Sequence, residues 1–167
     1  MTVLAVIPAR GGSKGVPGKN LAPVVLASPP PRIIDLMQHT AGFEDSALGH
    51  LFTREEGLAL EDYLTRYRPK RVRPPGAAAV YSNYSVALLG FIIARIDGRP
   101  FEDCVEARIL KPLRLTGISF REPADDADAG TATSRGFKRQ AGWFAPQGYI
   151  HISHIAPAAS ASASAAG

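Results

Sequence analysis

Apolar and β-branched residues run almost unbroken from Thr2 to Ile7 and end at Pro8, the pattern of a buried strand. A loop of repeated glycines follows from Arg10 to Asn20, where the backbone is free to adopt positive φ and to approach a ligand closely. From Leu21 to Arg32 periodicity is lost, and Ser28-Pro29-Pro30-Pro31 can neither continue a helix nor donate regular ladder bonds. This stretch marks a boundary between two unlike pieces. Ile33, Ile34, Leu36 and Met37 predict a short helix that ends near His39-Thr40-Ala41-Gly42, with Gly42 as its stop. Residues 53–67 predict a second helix, opened by a capping box of Thr53 and Glu56. Ser85 to Ile96 is apolar nearly all round, which predicts a buried helix closed by Gly98 and Pro100. In the next helix, Phe101 to Leu110, positions 101, 104, 105 and 109 form one apolar face, and Pro112 is the expected stop. Residues 125–139 predict a surface loop, Tyr149 to Ile155 alternates as a strand does, and the Ala/Ser tail from Ala158 to Gly167 is expected to fray.

Composition narrows the class without naming a chemistry. The 167 residues, 46% hydrophobic and 20% charged, fit one soluble globular domain. The net charge of +4 comes from scattered residues apart from Arg66, Arg68, Lys70, Arg71 and Arg73. No recognised nucleic-acid motif accompanies that cluster, so it reads as a solvated loop, and no nucleic-acid partner is expected. Cys104, the single cysteine, has no internal partner, and its apolar neighbours predict a small buried core residue. The start of the chain has no basic region ahead of its apolar run, so as written it is expected to remain cytoplasmic. Ala77 to Ile96 approaches membrane-spanning length but contains Tyr81, Ser82, Asn83, Tyr84, Ser85 and Arg95; it predicts a turn and a buried helix, with no membrane partner. His39 reads as a satisfied structural histidine. His151 and His154 would face opposite sides of a strand with no Cys, Asp or Glu beside them, so no metal and no cofactor are assigned. Trp143 and Tyr149 read as aromatics tethered on the core surface.

The glycine loop is an anion site by chemistry: free amides together with Arg10, Lys14 and Lys19 suit phosphate groups. It is neither a Walker A loop nor a Gly-x-Gly-x-x-Gly turn. The string Ile7-Pro8-Ala9-Arg10-Gly11-Gly12-Ser13-Lys14-Gly15-Val16-Pro17-Gly18-Lys19-Asn20-Leu21 resembles the opening of the CMP-sialic acid synthetase family of cytidylyltransferases over residues 1–24. That resemblance implies nucleotide-phosphate contacts for Arg10, Ser13 and Lys19. No later sugar-binding or metal-binding carboxylate motif of that family follows.

A second series of motifs covers residues 32–165. Asp35-Leu36-Met37-Gln38-His39-Thr40-Ala41-Gly42-Phe43 comes first, then Pro74-Pro75-Gly76, Tyr81-Ser82-Asn83-Tyr84 and the apolar run Ala87 to Ile93. Gly98-Arg99-Pro100-Phe101-Glu102, Ile109-Leu110-Lys111-Pro112-Leu113 and finally His151 to Ala158 complete it. In this order they resemble the class C β-lactamases, esterases and penicillin-binding-protein-related serine hydrolases. The resemblance implies an α+β fold represented mainly by its helical subdomain, preceded here by one N-terminal strand and the glycine-rich loop, with a β-lactam, peptide or ester as the substrate. It implies that Tyr81 acts as, or with, the general base and that Asn83 holds the substrate amide.

A phenol with an ordinary pKa of about 10 takes a serine proton near neutrality only beside cations that stabilise the phenolate. In the family, lysines of a Ser-x-x-Lys and a Lys-Thr-Gly motif supply them. No serine of this sequence has lysine at the third following position, and no Lys-Thr-Gly occurs. The expectation is an incomplete, inactive serine hydrolase whose uncovered apolar surface favours self-association. A cytidylyltransferase fragment and a non-catalytic binding module are the alternatives.

Overall fold

The computed structural model describes residues 29–45, 58–122, 134, 136–149, 151–152 and 155–164. The strand, glycine loop and Thr53–Glu56 capping box anticipated from the sequence lie outside these, as do Arg10, Ser13 and Lys19. Helix α1 is Ile33–Met37, α2 is Leu60–Arg66 and α3 is Asn83–Asp97. A helical run then passes from α4, Phe101–Val105, through a π-helical turn, Glu106–Leu110, into α5, Lys111–Leu113. Strands β1 (Ile118–Ser119), β2 (Phe137–Gln140) and β3 (Trp143–Pro146) are followed by α6 (Ala156–Ala159) and β4 (Ser162–Ala163).

Helix α3 is the centre, packed against α1, α2, α4 and α6. It begins where Ser82, in extended conformation, turns its hydroxyl to accept the Ser85 N–H. It ends at Gly98, whose left-handed φ of 74° is the glycine stop anticipated from the sequence. Tyr84, Ala87, Leu88 and Ile92 join Leu36, Phe43, Tyr63, Leu64 and Ile155 in the core. Burial of α3 is one-sided, because Ile93 and Ile96 are exposed, as are Ile33, Ile34 and Met37 on α1.

Four sequence expectations are corrected here. Residues 58 and 59 are not helical, so α2 starts only at Leu60, with Ala59 as its N-cap. The stop of α1 is not Gly42: Gln38 caps it and His39 takes the left-handed φ of 57°. Gly42 instead sits where Phe43 and Arg71 form an antiparallel bridge. Pro112 does not itself end the helical run, which passes through the π turn and stops at Leu113, one residue beyond the proline. The same turn rotates the buried stripe onward, so Leu110 is buried while Ile109 is exposed.

The tail is also better held than its composition suggests. Of the expected fraying segment, residues 158–164 are described: α6 carries it inward, the buried Ser160 hydroxyl donates to the Phe120 and Ala156 carbonyls, and β4 pairs antiparallel with β1. Between Tyr149 and Ile155 no named strand occurs among the described residues. The loop expected over 125–139 contains the start of β2 instead, which pairs with β3 through Ala141 and Gly142, both at positive φ. On this hairpin Trp143 is exposed rather than tethered to the core.

Cys104 is buried as anticipated. Its thiol donates to Asp97, whose carboxylate also accepts from Arg99 and Arg108. These partners, the arginines first, hold the Asp97 carboxyl well below the usual carboxylate range. A group depressed in the folded state adds stability above its ordinary pKa of about 4, and that stability is lost as pH falls through and below this value. Urea unfolding between neutral and acidic pH is therefore expected to show a steeper acid loss in the parent than in Asp97→Asn; equal slopes would refute it.

Candidate active site

The tyrosines of this chain divide by surroundings. Tyr63 and Tyr84 are buried, and desolvation pushes each phenol up to about 12. Tyr84 also donates its hydroxyl to the Leu64 carbonyl at 3.1 Å. Such groups keep their protons and serve the core. Tyr81 lies at the mouth of α3 with 57% of its surface exposed, and its hydroxyl donates to Asn83 Oδ1 at 2.9 Å. The two residues singled out from the sequence are thus brought together, one turning the corner into the helix and the other opening its first turn.

The corner is built from the preceding segment. Arg32 and Asp35 close a capping box on α1 through the Arg32 N–H, Nε and Nη2, and the buried Asp35 carboxyl is held below its usual range by that guanidinium. The Asp35 carbonyl accepts the Thr40 N–H at 2.7 Å, which fixes the chain just after His39. From there the Thr40 carbonyl accepts the Gly76 N–H and the His39 carbonyl accepts the Val80 N–H, both at 2.9 Å. The loop that carries Tyr81 is therefore sewn to the end of α1 by backbone bonds.

His39 adds side-chain contacts. Its Nδ1 accepts the Ser82 N–H at 3.2 Å, and its ring lies 4.9 Å from the Tyr81 ring. The structural reading of His39 holds, with a neighbour that the sequence did not disclose. Asp45 Oδ1 accepts the Asn83 N–H at 3.3 Å, placing a carboxylate at the N-terminus of α3. No motif marked Asp45; only its position after the α1 segment, folded back on the helix, reveals it.

The site holds a phenol, an amide and a carboxylate. Among the described residues no lysine or arginine bonds the Tyr81 hydroxyl, so its proton rests on a neutral amide oxygen. His151 stands apart, paired with Glu122 at 3.1 Å. This corrects the expectation that no acidic residue stands beside it: the fold supplies a neighbour from a distant position. His154 lies outside the described residues. Groups of three or more His, Cys, Asp or Glu able to hold a metal are absent among the described residues, and no helix there is long and apolar enough to cross a membrane.

Comparison with known proteins gives the family and the fold. The family profile described as Beta-lactamase matches residues 22–167. A putative D-alanyl-D-alanine carboxypeptidase of Escherichia coli (strain K12) is 33% identical over 96 residues, 53% of this chain and 21% of the relative. The chain thus spans about a fifth of that relative's length. Among solved structures, a class C β-lactamase from Rhodobacter sphaeroides superposes with a TM-score of 0.57 at 25% identity, over 81% of this chain and 35% of that one. A D-stereospecific amidohydrolase from a Streptomyces species, at 20% identity and a TM-score of 0.60 over 79% of this chain and 42% of its own, shares the fold. The described helices and short strands are accordingly a partial α+β β-lactamase fold, and the chain belongs to the Beta-lactamase family of serine hydrolases.

Proposed function

We propose that this chain carries the tyrosine and asparagine half of a serine-hydrolase site, suited to a β-lactam, peptide or ester, and does not acylate by itself. The observation that supports the reading is the exposed Tyr81 hydroxyl bonded to Asn83 at the start of α3. In this role Asn83 orients the substrate amide and Tyr81 accepts or relays the nucleophile's proton. Both steps need partners: a hydroxyl to deprotonate, and ammonium groups that lower the cost of a phenolate. The sequence has neither Ser-x-x-Lys nor Lys-Thr-Gly.

The test is direct. Incubated with nitrocefin and short-chain nitrophenyl esters, this chain is expected to show no turnover above buffer, and an acyl-serine probe is expected to leave its mass unchanged. A covalent adduct on any serine, with turnover lost in Tyr81→Phe, would overturn the inactivity. Such a result would keep the family chemistry and relocate its nucleophile.

A further inference from the structure

We infer that His39 is a positioning residue for Tyr81: it fixes the direction of the phenol by anchoring the next backbone amide and by packing its ring on the tyrosine ring. This deepens the proposed role of Tyr81, on which its functional meaning rests.

Three observations from different atoms converge. Nδ1 accepts the Ser82 N–H, one residue beyond Tyr81. The rings of His39 and Tyr81 lie 4.9 Å apart at 36°. The His39 carbonyl accepts the Val80 N–H, one residue before Tyr81. A single residue therefore holds the tyrosine's backbone on both sides and lies against its ring at a tilt. Tyr81 is exposed, and among the described residues its hydroxyl bonds the Asn83 amide, two residues away.

The clamp fixes the chemical form of the imidazole. A nitrogen that accepts an N–H carries no proton, so a neutral His39 holds its hydrogen on Nε2. The left-handed backbone at His39 suits histidine or asparagine better than most side chains, and asparagine Oδ1 can take over the acceptor position of Nδ1. These properties allow the two contacts to be removed separately. His39→Asn keeps the backbone conformation and the acceptor but loses the ring, while His39→Phe keeps a ring and loses the acceptor.

The readout is NMR on the intact chain labelled at histidine nitrogens and at tyrosine Cζ. In the parent, the histidine nitrogen shifts are expected to report the Nε2–H tautomer. His39→Phe is expected to speed exchange of the Ser82 amide by about fivefold, the loss of one ordinary hydrogen bond, and His39→Asn to leave it near the parent rate. In both variants the Tyr81 Cζ resonance is expected to move toward that of free tyrosine while the Tyr84 resonance stays in place. A Tyr81 resonance unmoved in a folded His39→Asn protein, or an Nδ1–H tautomer in the parent, would overturn the proposal. None of these signals depends on acylation, so their failure is distinguishable from failure of the hydrolase reading, which the acyl-serine probe reports.

Discussion

Gly42→Ala is expected to be the most destabilising glycine-to-alanine change among the described residues, by about 3 kcal/mol, from a left-handed penalty of about 1–2 kcal/mol and an overpacking cost of similar size. The residue has φ of +83°, and a Cβ built there would lie 2.0 Å from the Arg73 carbonyl oxygen. That oxygen belongs to backbone and cannot swing aside as a side chain would. Moving it strains the same crossing where Val72 N–H donates to the Gly42 carbonyl at 2.9 Å and Phe43 bridges Arg71. Gly98→Ala is the control, since Gly98 has φ of +74° with nothing within 4 Å of the added methyl. Denaturant unfolding should show Gly98→Ala losing only the conformational part, roughly 1 kcal/mol. Equal losses for the two variants would mean that the Arg73 backbone yields freely, and the steric part of the argument would fall.

Gly90→Ala is expected to follow, because Gly90 lets α3 touch α6. A Cβ there would lie 2.1 Å from Pro157 Cγ and 3.3 Å from Phe101 Cδ2. Alanine gains about 1 kcal/mol of helix propensity in an α-helix interior, while overpacking a tight contact costs about 1–3 kcal/mol. The neighbour is a ring on a helix of only four residues, so the fold has two responses. Holding the contact makes the variant less stable, and releasing α6 speeds amide exchange over residues 156–164. Either way the ordered tail depends on this glycine. A variant more stable than the parent, with unchanged exchange at Ser160 and Ser164, would refute the close approach as the cause.

Both expectations concern positions whose importance is invisible in local sequence. Gly42 reads as a helix stop, and its actual duty, admitting the Arg73 carbonyl, arises from a segment 31 residues away. Gly90 reads as one more small residue in an apolar helix, and nothing in an Ala/Ser-rich tail announces that Pro157 will fill the gap above it.

Much of the site was nonetheless legible. The Tyr81-Ser82-Asn83 triplet stands where the turn residues and the apolar run placed it, at the entrance of a helix that ends at Gly98. Local signals suffice there, because a Ser82 side-chain cap and a left-handed glycine act within one turn of the residues that carry them. The Phe101–Leu110 helix was legible in place but not in phase, since periodicity assumes a uniform turn and the π turn after Val105 adds a residue that exchanges Ile109 for Leu110 in the core. What the sequence determined by itself is the family, the central helix and its caps, and the absence of both lysine motifs within these 167 residues. The tertiary structure alone decided which residues meet: His39 with Tyr81, Asp45 with Asn83, Glu122 with His151, and the tail with β1. The physical reason is range. Caps, turns and helical periodicity are written in neighbouring residues, whereas contacts across the fold depend on how buried faces settle against one another, which no short window of sequence contains.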